Sequence, residues 1–411
     1  MQHLSKDDPE LAELIKNEES RIENTVDLIA AENHAPRSVM EALGSIFNTK
    51  TIEGYPGKRF HAGCIYADQV ENLAVSRGKH LFGAEHINVQ PHSGTSANLA
   101  VYFSVLDVGD RVLAMSLPHG GHLSHGHPVS MTSKCFEFKH YTLDSESERI
   151  DYDEVKGLAK EFKPKMIVAG ASSYARLIDY EKMAKIAKDV SAYLMVDMAH
   201  IAGLVAAKVI PSPVPHSDFV TFTCYKTMMG GRGGVILSKQ EYGEKINSAV
   251  FPGCQGTSAV NLLAAKAVIF KLAMKPEFVS LQERTLDNAA FLATELAEKG
   301  FRIVSEGTDT HQVLVDLTSI GLEGGAAEKT MESVGIILNR NVIPDDAENP
   351  GRTSGIRLGS AAISVRGMGK NEIVQITGLM STALLNHNNK DLLAQVSKEV
   401  TEICRGFPVY G

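Results

Sequence analysis

Residues 192–226 read AYLMVDMAHIAGLVAAKVIPSPVPHSDFVTFTCYK. An apolar run closes on Asp197, and a second apolar run beginning at Asp218 closes on Lys226. Short, nearly all-apolar runs of this kind predict strands buried on both faces of an open sheet. An acid leaving a buried strand must meet a cation, a metal or hydrogen-bond donors, because leaving it unpaired is costly. A lysine straight after a buried strand is a competent amine nucleophile when desolvation lowers its pKa. For either residue alone, an ordinary internal ion pair, even Asp197 with Lys226, is an equally good explanation.

The same alternation extends outward. Helix 68–82 precedes strand HINVQ, and a second helix opens near Thr95. Strand RVLAMS, helix 152–162, strand KMIVAG and helix 181–190 follow before Asp197, and GGVILS comes after Lys226. The expectation is an α/β fold with a mainly parallel central sheet covered by helices, whose chemistry collects at the C-terminal ends of its strands. Helical patterns over 258–274 and 277–299 lead to a smaller α+β region with strands FRIVS, HQVLVDL and GIILN. The domains expected are a helical arm over 1–45, a large domain over 46–275 and a small C-terminal domain over 276–411.

Composition narrows the class. The chain has 411 residues, 44% hydrophobic and 22% charged, with 41 basic against 49 acidic residues for a net charge of −8. Such a chain without a Lys/Arg-rich block is a poor partner for nucleic acid or an anionic membrane. Five scattered cysteines without a C-x-x-C pair exclude a disulfide framework and a thiolate zinc site. The opening MQHLSKDDPE has neither signal-peptide nor transit-peptide character, and no apolar run approaches the ~20 residues of a membrane span. A cytoplasmic small-molecule enzyme is expected.

Strand HINVQ runs into Pro91-His92-Ser93-Gly94-Thr95-Ser96 and then an apolar helix. A Ser-Gly-Thr turn at a helix start offers backbone N–H groups and hydroxyls to an anion, phosphate above all, although a plain N-cap reads the same way. Phosphate turn, acid and lysine in that order fit pyridoxal phosphate, which needs an N–H cradle, a carboxylate for its ring nitrogen and an amine for its aldehyde. No G-x-x-x-x-G-K-[ST] motif competes, and no G-x-G-x-x-G follows a first strand. His119, His122 and His125 recur at spacing three, but Gly120-Gly121 opposes a rigid helix and no acid is near in sequence, so no metal site is assigned. A ring stacked on a planar cofactor suits one of these histidines better. Arg357, in TSGIRLGS, has the planar fork that grips a carboxylate bidentately; the bland alternative is a domain salt bridge.

The runs LIAAEN, EGYPGKR, NVQPHSGTSAN, HGGHLSHG, KPKMIVAG, VDMAHIAGLVAA, NSAVFPG and TSGIRLGSAAISVRG resemble the serine hydroxymethyltransferase family over nearly the whole chain. The resemblance implies the pyridoxal-phosphate fold type I, like aspartate aminotransferase. It also implies a homodimer with sites at the subunit interface, the pairing of dimers into tetramers being open. Carried over by position, Lys226 matches the Schiff-base lysine, Asp197 the pyridine-nitrogen partner and His122 the stacked ring. Ser93, Gly94 and Thr95 match the phosphate turn, and Gly256 and Thr257 the segment by which the neighbouring subunit reaches the phosphate. Ser172 and His200 match residues near the phenolic oxygen, and Thr223 belongs with the cofactor group. Arg357 matches the carboxylate-binding arginine, and Glu53 the partner-supplied glutamate that handles protons. Leu117, Leu123 and Asn341, with Phe60, fall where the family meets the pterin of tetrahydrofolate.

The departures cluster in the implied site. Ala31 replaces a serine, Thr51 a tyrosine, and Phe60-His61 a tyrosine pair, with His61 beside the substrate. Tyr225 replaces the histidine before the lysine, Gly231 a proline, and Gln255-Gly256-Thr257-Ser258 stands for QGGP. Three functions remain open. The first is serine–glycine hydroxymethyl transfer to tetrahydrofolate, on serine or a close α-substituted analogue. The second is a folate-independent aldolase, transaldolase or other Cα-carbanion enzyme. The third is an idle binding protein, which the presence of Lys226, Asp197, Glu53 and Arg357 opposes.

Overall fold

A computed structural model describes residues 2–344, 346 and 353–410. Contacts divide the chain into two units, residues 35–283 and residues 1–34 with 284–411.

Among the described residues, the first unit is built on a seven-stranded sheet: β1 (His86–Asn88), β2 (Arg111–Met115), β3 (Glu137–Tyr141), β4 (Met166–Ala169), β5 (Tyr193–Asp197), β6 (Phe219–Thr223) and β7 (Gly234–Ser238). Its order is β1-β7-β6-β5-β4-β2-β3. The sheet is mixed: β3, β2, β4, β5 and β6 pair in parallel, while β7 runs antiparallel to both β6 and β1. Every residue of β4, β6 and β7 is buried, as continuous apolar runs covered on both faces should be. The core of this unit packs Ala97, Val101 and Tyr102 of the helix α1 (Gly94–Val105) against Val112, Met166, Met195 and Phe219 from the sheet. Asp151 and Asp179 cap the helices α2 (Tyr152–Phe162) and α3 (Tyr180–Asp189), accepting from first-turn N–H groups and ending the preceding loops. The parallel order places the ends of β4, β5 and β6 side by side, which positions the site.

The second unit holds an antiparallel sheet of β8 (Arg302–Ile303), β9 (Gln312–Asp316), β10 (Asn339–Asn341) and β11 (Gly355–Gly359), in the order β8-β9-β11-β10. The expected arm over 1–45 does not stand apart. Val26 and Asp27 pair in parallel with Ile336 and Ile337, which carries residues 1–34 into this unit. The expected boundary at 275 falls instead inside the helix Pro276–Glu298. Its first turns belong to the large sheet, where Gln282 Nε2 donates to Thr227 O at 2.9 Å. Its later turns, from Arg284, donate to Ser364 O and bury Ala289 and Leu292 in the second core. A continuous helix with side chains committed to different cores gives no sequence break where the contacts change.

One side chain gathers several carbonyls of the arm and of the C-terminal segment. Arg366, 7% exposed, donates to the carbonyls of Thr25 (2.6 Å), Glu23 (3.0 Å) and Ile22 (3.4 Å), and to Phe407 (2.7 Å) and Cys404 (3.2 Å). Replacing it by alanine strands several buried carbonyls at once. Arg366→Ala is expected to cost roughly 3 kcal/mol in urea unfolding. A loss under about 0.5 kcal/mol would show that the arm is held by its strand pairing alone.

Candidate active site

Asp197 ends β5 with both carboxylate oxygens engaged. Oδ1 accepts from the Ala199 N–H at 3.0 Å, and Oδ2 from Asn98 Nδ2 at 2.8 Å, with His125 Nε2 at 3.2 Å. Neighbouring bonds settle which atoms carry the protons. Thr221 Oγ1 donates to Asn98 Oδ1 at 2.6 Å, which turns the amide nitrogen of Asn98 toward Asp197. The His122 N–H donates to His125 Nδ1 at 3.3 Å, so the ring proton of His125 sits on Nε2, facing the carboxylate. Burial alone would raise the Asp197 carboxyl. The His125 hydrogen bond, then the electrostatic attraction of the His125 and His122 rings and the Asn98 hydrogen bond, outweigh burial and hold it far below the ordinary carboxylate range. The result is a buried carboxylate that stays ionised, which is what a ring nitrogen requires to keep its proton.

His122 follows two glycines on the loop after β2. Its Nδ1 accepts from the Ser124 N–H (3.2 Å) and lies 2.7 Å from Ser124 Oγ, itself an acceptor for Asn98 Nδ2 at 2.9 Å. Burial pulls the imidazole down to about 4, with the Asp197 charge opposing. At neutral pH His122 is therefore an uncharged, fixed ring, suited to lie against a flat cofactor. The expectation that no acid is near these histidines is corrected by the fold. His122, His125 and Asp197 place ligand-type atoms within 4.8 Å of one another, because the loop after β2 and the end of β5 meet over β4. Within that cluster His125 Nε2 bonds Asp197 Oδ2, while the His122 ring bonds Ser124 through Nδ1.

Lys226, 8% exposed, follows β6 in a tight turn in which the Met229 N–H donates to Lys226 O (2.8 Å) and the Gly230 N–H to Cys224 O (2.6 Å). Its Nζ donates to Thr223 Oγ1 at 3.1 Å, and Thr223 donates on to Ala199 O at 3.4 Å. The amine and the Asp197 carboxylate thus converge on one short segment, Ala199. His200 O accepts from Thr227 Oγ1 (2.8 Å), tying the β5 exit to the lysine turn. Tyr225, the departure beside the lysine, lies under two cations: Lys226 Nζ is 5.0 Å from its ring centroid and Arg232 Cζ 4.2 Å.

Ser93 caps α1 in a reciprocal box, accepting from the Ser96 N–H (3.1 Å) while its own N–H donates to Ser96 Oγ (2.9 Å). The N-cap reading is therefore correct for Ser93. The first-turn N–H groups of Gly94 and Thr95 still have no acceptor within the helix. Gly94 is required there: a Cβ would stand 2.8 Å from Thr223 Cγ2, so only glycine lets the helix start approach the lysine strand. A donor-rich helix start, an ionised carboxylate, a neutral ring and an amine fit pyridoxal phosphate in the chemistry of the set. Ser172 joins them from the β4 exit, where its N–H donates to Gly120 O at 2.7 Å.

A second group gathers around Glu53. The Ile52 N–H donates to Thr257 Oγ1 (2.8 Å), and Glu53 Oε1 lies 3.9 Å from where a Cβ on Gly256 would be. Arg59 fixes this loop, donating to Ile52 O (2.9 Å), Gly54 O (2.6 Å), Asp68 (2.8 Å) and Glu71 (2.5 Å). Gln255 spans to the segment that leads into the Ser93 turn, accepting from the His92 N–H (3.3 Å) and donating to Gln90 O (2.8 Å). Thr51 and His61 are exposed, and both of their carbonyls face Cys64 Sγ. Phe60, Leu117 and Leu123 are 76%, 37% and 49% exposed.

Arg357, Asn341 and Ala31 lie in the other unit. Arg357 sits on β11 opposite Asn339, donating from Nε to Asn339 Oδ1 at 3.1 Å, and Asn341 pairs opposite Gly355. Burial lowers the guanidinium to about 10, which leaves it charged at neutral pH. Ala30, next to Ala31, presses on Gly359 at the end of the same strand. Sequence reading singled out His125 only as one of three spaced histidines, and did not name Asn98 or Ser124. For Asn98 the local signal was its place one turn into the helix that starts at the Ser93 turn.

No helix among the described residues is long and apolar enough to cross a membrane. Compared with known protein families, residues 4–380 match the model of serine hydroxymethyltransferase.

Proposed function

Because the chain belongs to the serine hydroxymethyltransferase family, whose members are pyridoxal phosphate-dependent transferases that use tetrahydrofolate, we propose hydroxymethyl transfer between an amino acid and tetrahydrofolate. The amino acid is serine or a close α-substituted analogue. The observation that carries the reading is the ionised Asp197, held by His125, Asn98 and the Ala199 N–H, on the segment that also receives the Lys226–Thr223 pair.

Pyridoxal phosphate, when bound, supplies an electron sink for the carbon whose bond breaks. The Lys226 amine would hold the cofactor at its aldehyde. Asp197 keeps a proton on the ring nitrogen, and neutral His122 packs against the ring face. The Gly94 and Thr95 N–H groups and the Ser93 turn hold the phosphate. Ser172, His200 and Thr223 line the phenolic side. Arg357 grips the substrate carboxylate. Glu53, with Gly256 and Thr257, serves the neighbouring subunit's site in a homodimer, where its carboxylate moves the proton of the hydroxymethyl oxygen. Leu117, Leu123, Phe60 and Asn341 receive the pterin. The setting is a cytoplasmic enzyme.

The substitutions at Ala31, Thr51 and His61 support a second reading, a folate-independent aldolase on β-hydroxy or α-substituted amino acids, since they remove bulk or hydroxyls where substrate is expected, while Tyr225 changes the ring beside the lysine. One assay separates the two. Serine and α-methylserine cleavage is measured with and without tetrahydrofolate, following formaldehyde and the folate product. Transfer predicts at least ~10-fold acceleration by tetrahydrofolate on one of these substrates. Equal rates without it, together with faster cleavage of a β-substituted serine, would replace the first reading with the second.

A further inference from the structure

Lys266 is the least expected charge in the molecule. It lies on the helix Val260–Ala273, is fully buried, and donates from Nζ to three main-chain carbonyls: Val89 at 2.6 Å, Gly234 at 2.8 Å and Pro91 at 3.3 Å. Three N–H donors meeting three carbonyls complete an ammonium's hydrogen bonding. An apolar residue would be cheaper to bury in that helix, so the position is held by what the carbonyls need.

Those carbonyls come from the two segments that the cofactor site has to hold together. Pairing of β1 with β7 ends at Asn88 and Ile236. Beyond it, Val89 and Pro91 lead into the Ser93 turn, while Gly234 closes the loop that began at Lys226. The two strand ends touch through the Gly234 N–H donating to Pro91 O (2.9 Å), and the loop closes through the Cys224 N–H donating to Gly233 O (3.2 Å). Gly233, at φ +127°, lies over the ammonium: a Cβ there would come within 2.8 Å of Nζ and 2.7 Å of Cε. Burial pulls the ammonium down to about 8, with Cys224 and Glu71 opposing, so it remains largely charged at neutral pH.

We propose that Lys266 is a positioning residue for the cofactor's phosphate: one buried ammonium locks the strand that carries Ser93–Thr95 to the strand that closes the Lys226 loop. The inference rests on reading Ser93–Thr95 as the phosphate turn. Without the ammonium, the carbonyls of Val89, Pro91 and Gly234 lose their shared donor. The turn's N–H groups then lose their aim, while the ring-binding residues on β5 and its exit keep theirs.

The test uses full-length protein stripped of cofactor and two probes that form no bond to lysine, 4′-deoxypyridoxine and its 5′-phosphate. The quantity read is the preference for the phosphorylated probe. Lys266→Met is expected to reduce that preference about tenfold with unchanged circular dichroism, and Lys266→Arg to retain most of it. A preference within about twofold of the parent in Lys266→Met overturns the assignment. Should that variant not fold, Lys266→Gln, which returns two donors without the charge, is measured with the same expectation. If neither folds, Lys266 serves the core alone and the assignment falls. Thr95→Asp separates the underlying reading, because a carboxylate suits a helix start yet repels phosphate. Preference surviving Thr95→Asp overturns the phosphate turn itself; preference lost there and kept in Lys266→Met overturns only the role of Lys266.

Discussion

Lys226→Ala should lower turnover at least ~10³-fold and remove the visible absorbance band of the lysine-bound cofactor. The expectation follows from where the amine sits. Lys226 is nearly buried, held by Thr223 at 3.1 Å, at the close of a strand whose every residue is buried. Alanine removes the nucleophile but not the turn, since the bonds from Met229 to Lys226 O and from Gly230 to Cys224 O are main-chain bonds. The protein should therefore fold and still bind the cofactor through the Ser93–Thr95 turn and Asp197, without covalent attachment. Absorbance spectra before and after addition of pyridoxal phosphate decide the matter. Retention of the band would show that another amine carries the cofactor, and the buried Lys266, already committed to three carbonyls, would then be the next to examine.

Asp197→Asn should cost a comparable factor in turnover, on the order of ~10³, while leaving the strand in place. An amide cannot hold a proton on the ring nitrogen. It also has one acceptor oxygen where the carboxylate uses two, one for Ala199 and one shared by Asn98 and His125. Either amide orientation sets a donor against a donor, at a cost of about 1–3 kcal/mol. The pH dependence has a definite sign. The Asp197 carboxyl is lowered on folding, so its stabilisation is complete above the unfolded value near ~4 and is lost as pH falls toward the folded value. The stability gap between parent and Asp197→Asn should thus be widest near neutrality and narrow in acid. His122 acts at milder pH. Its folded value of about 4 lies below the ordinary ~6.5, so the unfolded chain takes up a proton that the folded one refuses, and stability falls between those values by at most about 1.4 kcal/mol per pH unit. Urea unfolding of cofactor-free protein from pH 7 to 3 reads both limbs. A gap that widens in acid would contradict the charge assigned to Asp197.

Much of this site is legible in the chain because its strands are continuous apolar runs. YLMVD and FVTFT commit to buried strands locally, and the residues that follow them must then emerge at a sheet edge. Strand β3 escaped that logic. EFKHY carries polar side chains at Glu137, Lys139 and His140, as an edge strand paired to β2 alone can, and so lacks the apolar run that marks the inner strands. The antiparallel β7 was equally hidden, since GVILS looks the same in either direction. The helix Pro276–Glu298 concealed its boundary in an unbroken helical pattern. The pairing of His125 was hidden for a different reason: its partner Asp197 is 72 positions away in sequence.

What the sequence by itself determined was the kind of parts present: a helix start rich in donors, an acid and a lysine after apolar strands, and the family runs that connect them. Tertiary structure decided which parts meet. The folded arrangement of strands, helices and loops set His125 and Asn98 on Asp197, placed Glu53 beside Gly256, and gave the ammonium of Lys266 its three carbonyls. The physical reason is one of range. Burial of an apolar run is a local property of composition, whereas the pairing of a buried charge depends on groups that only the closed sheet brings within hydrogen-bonding distance.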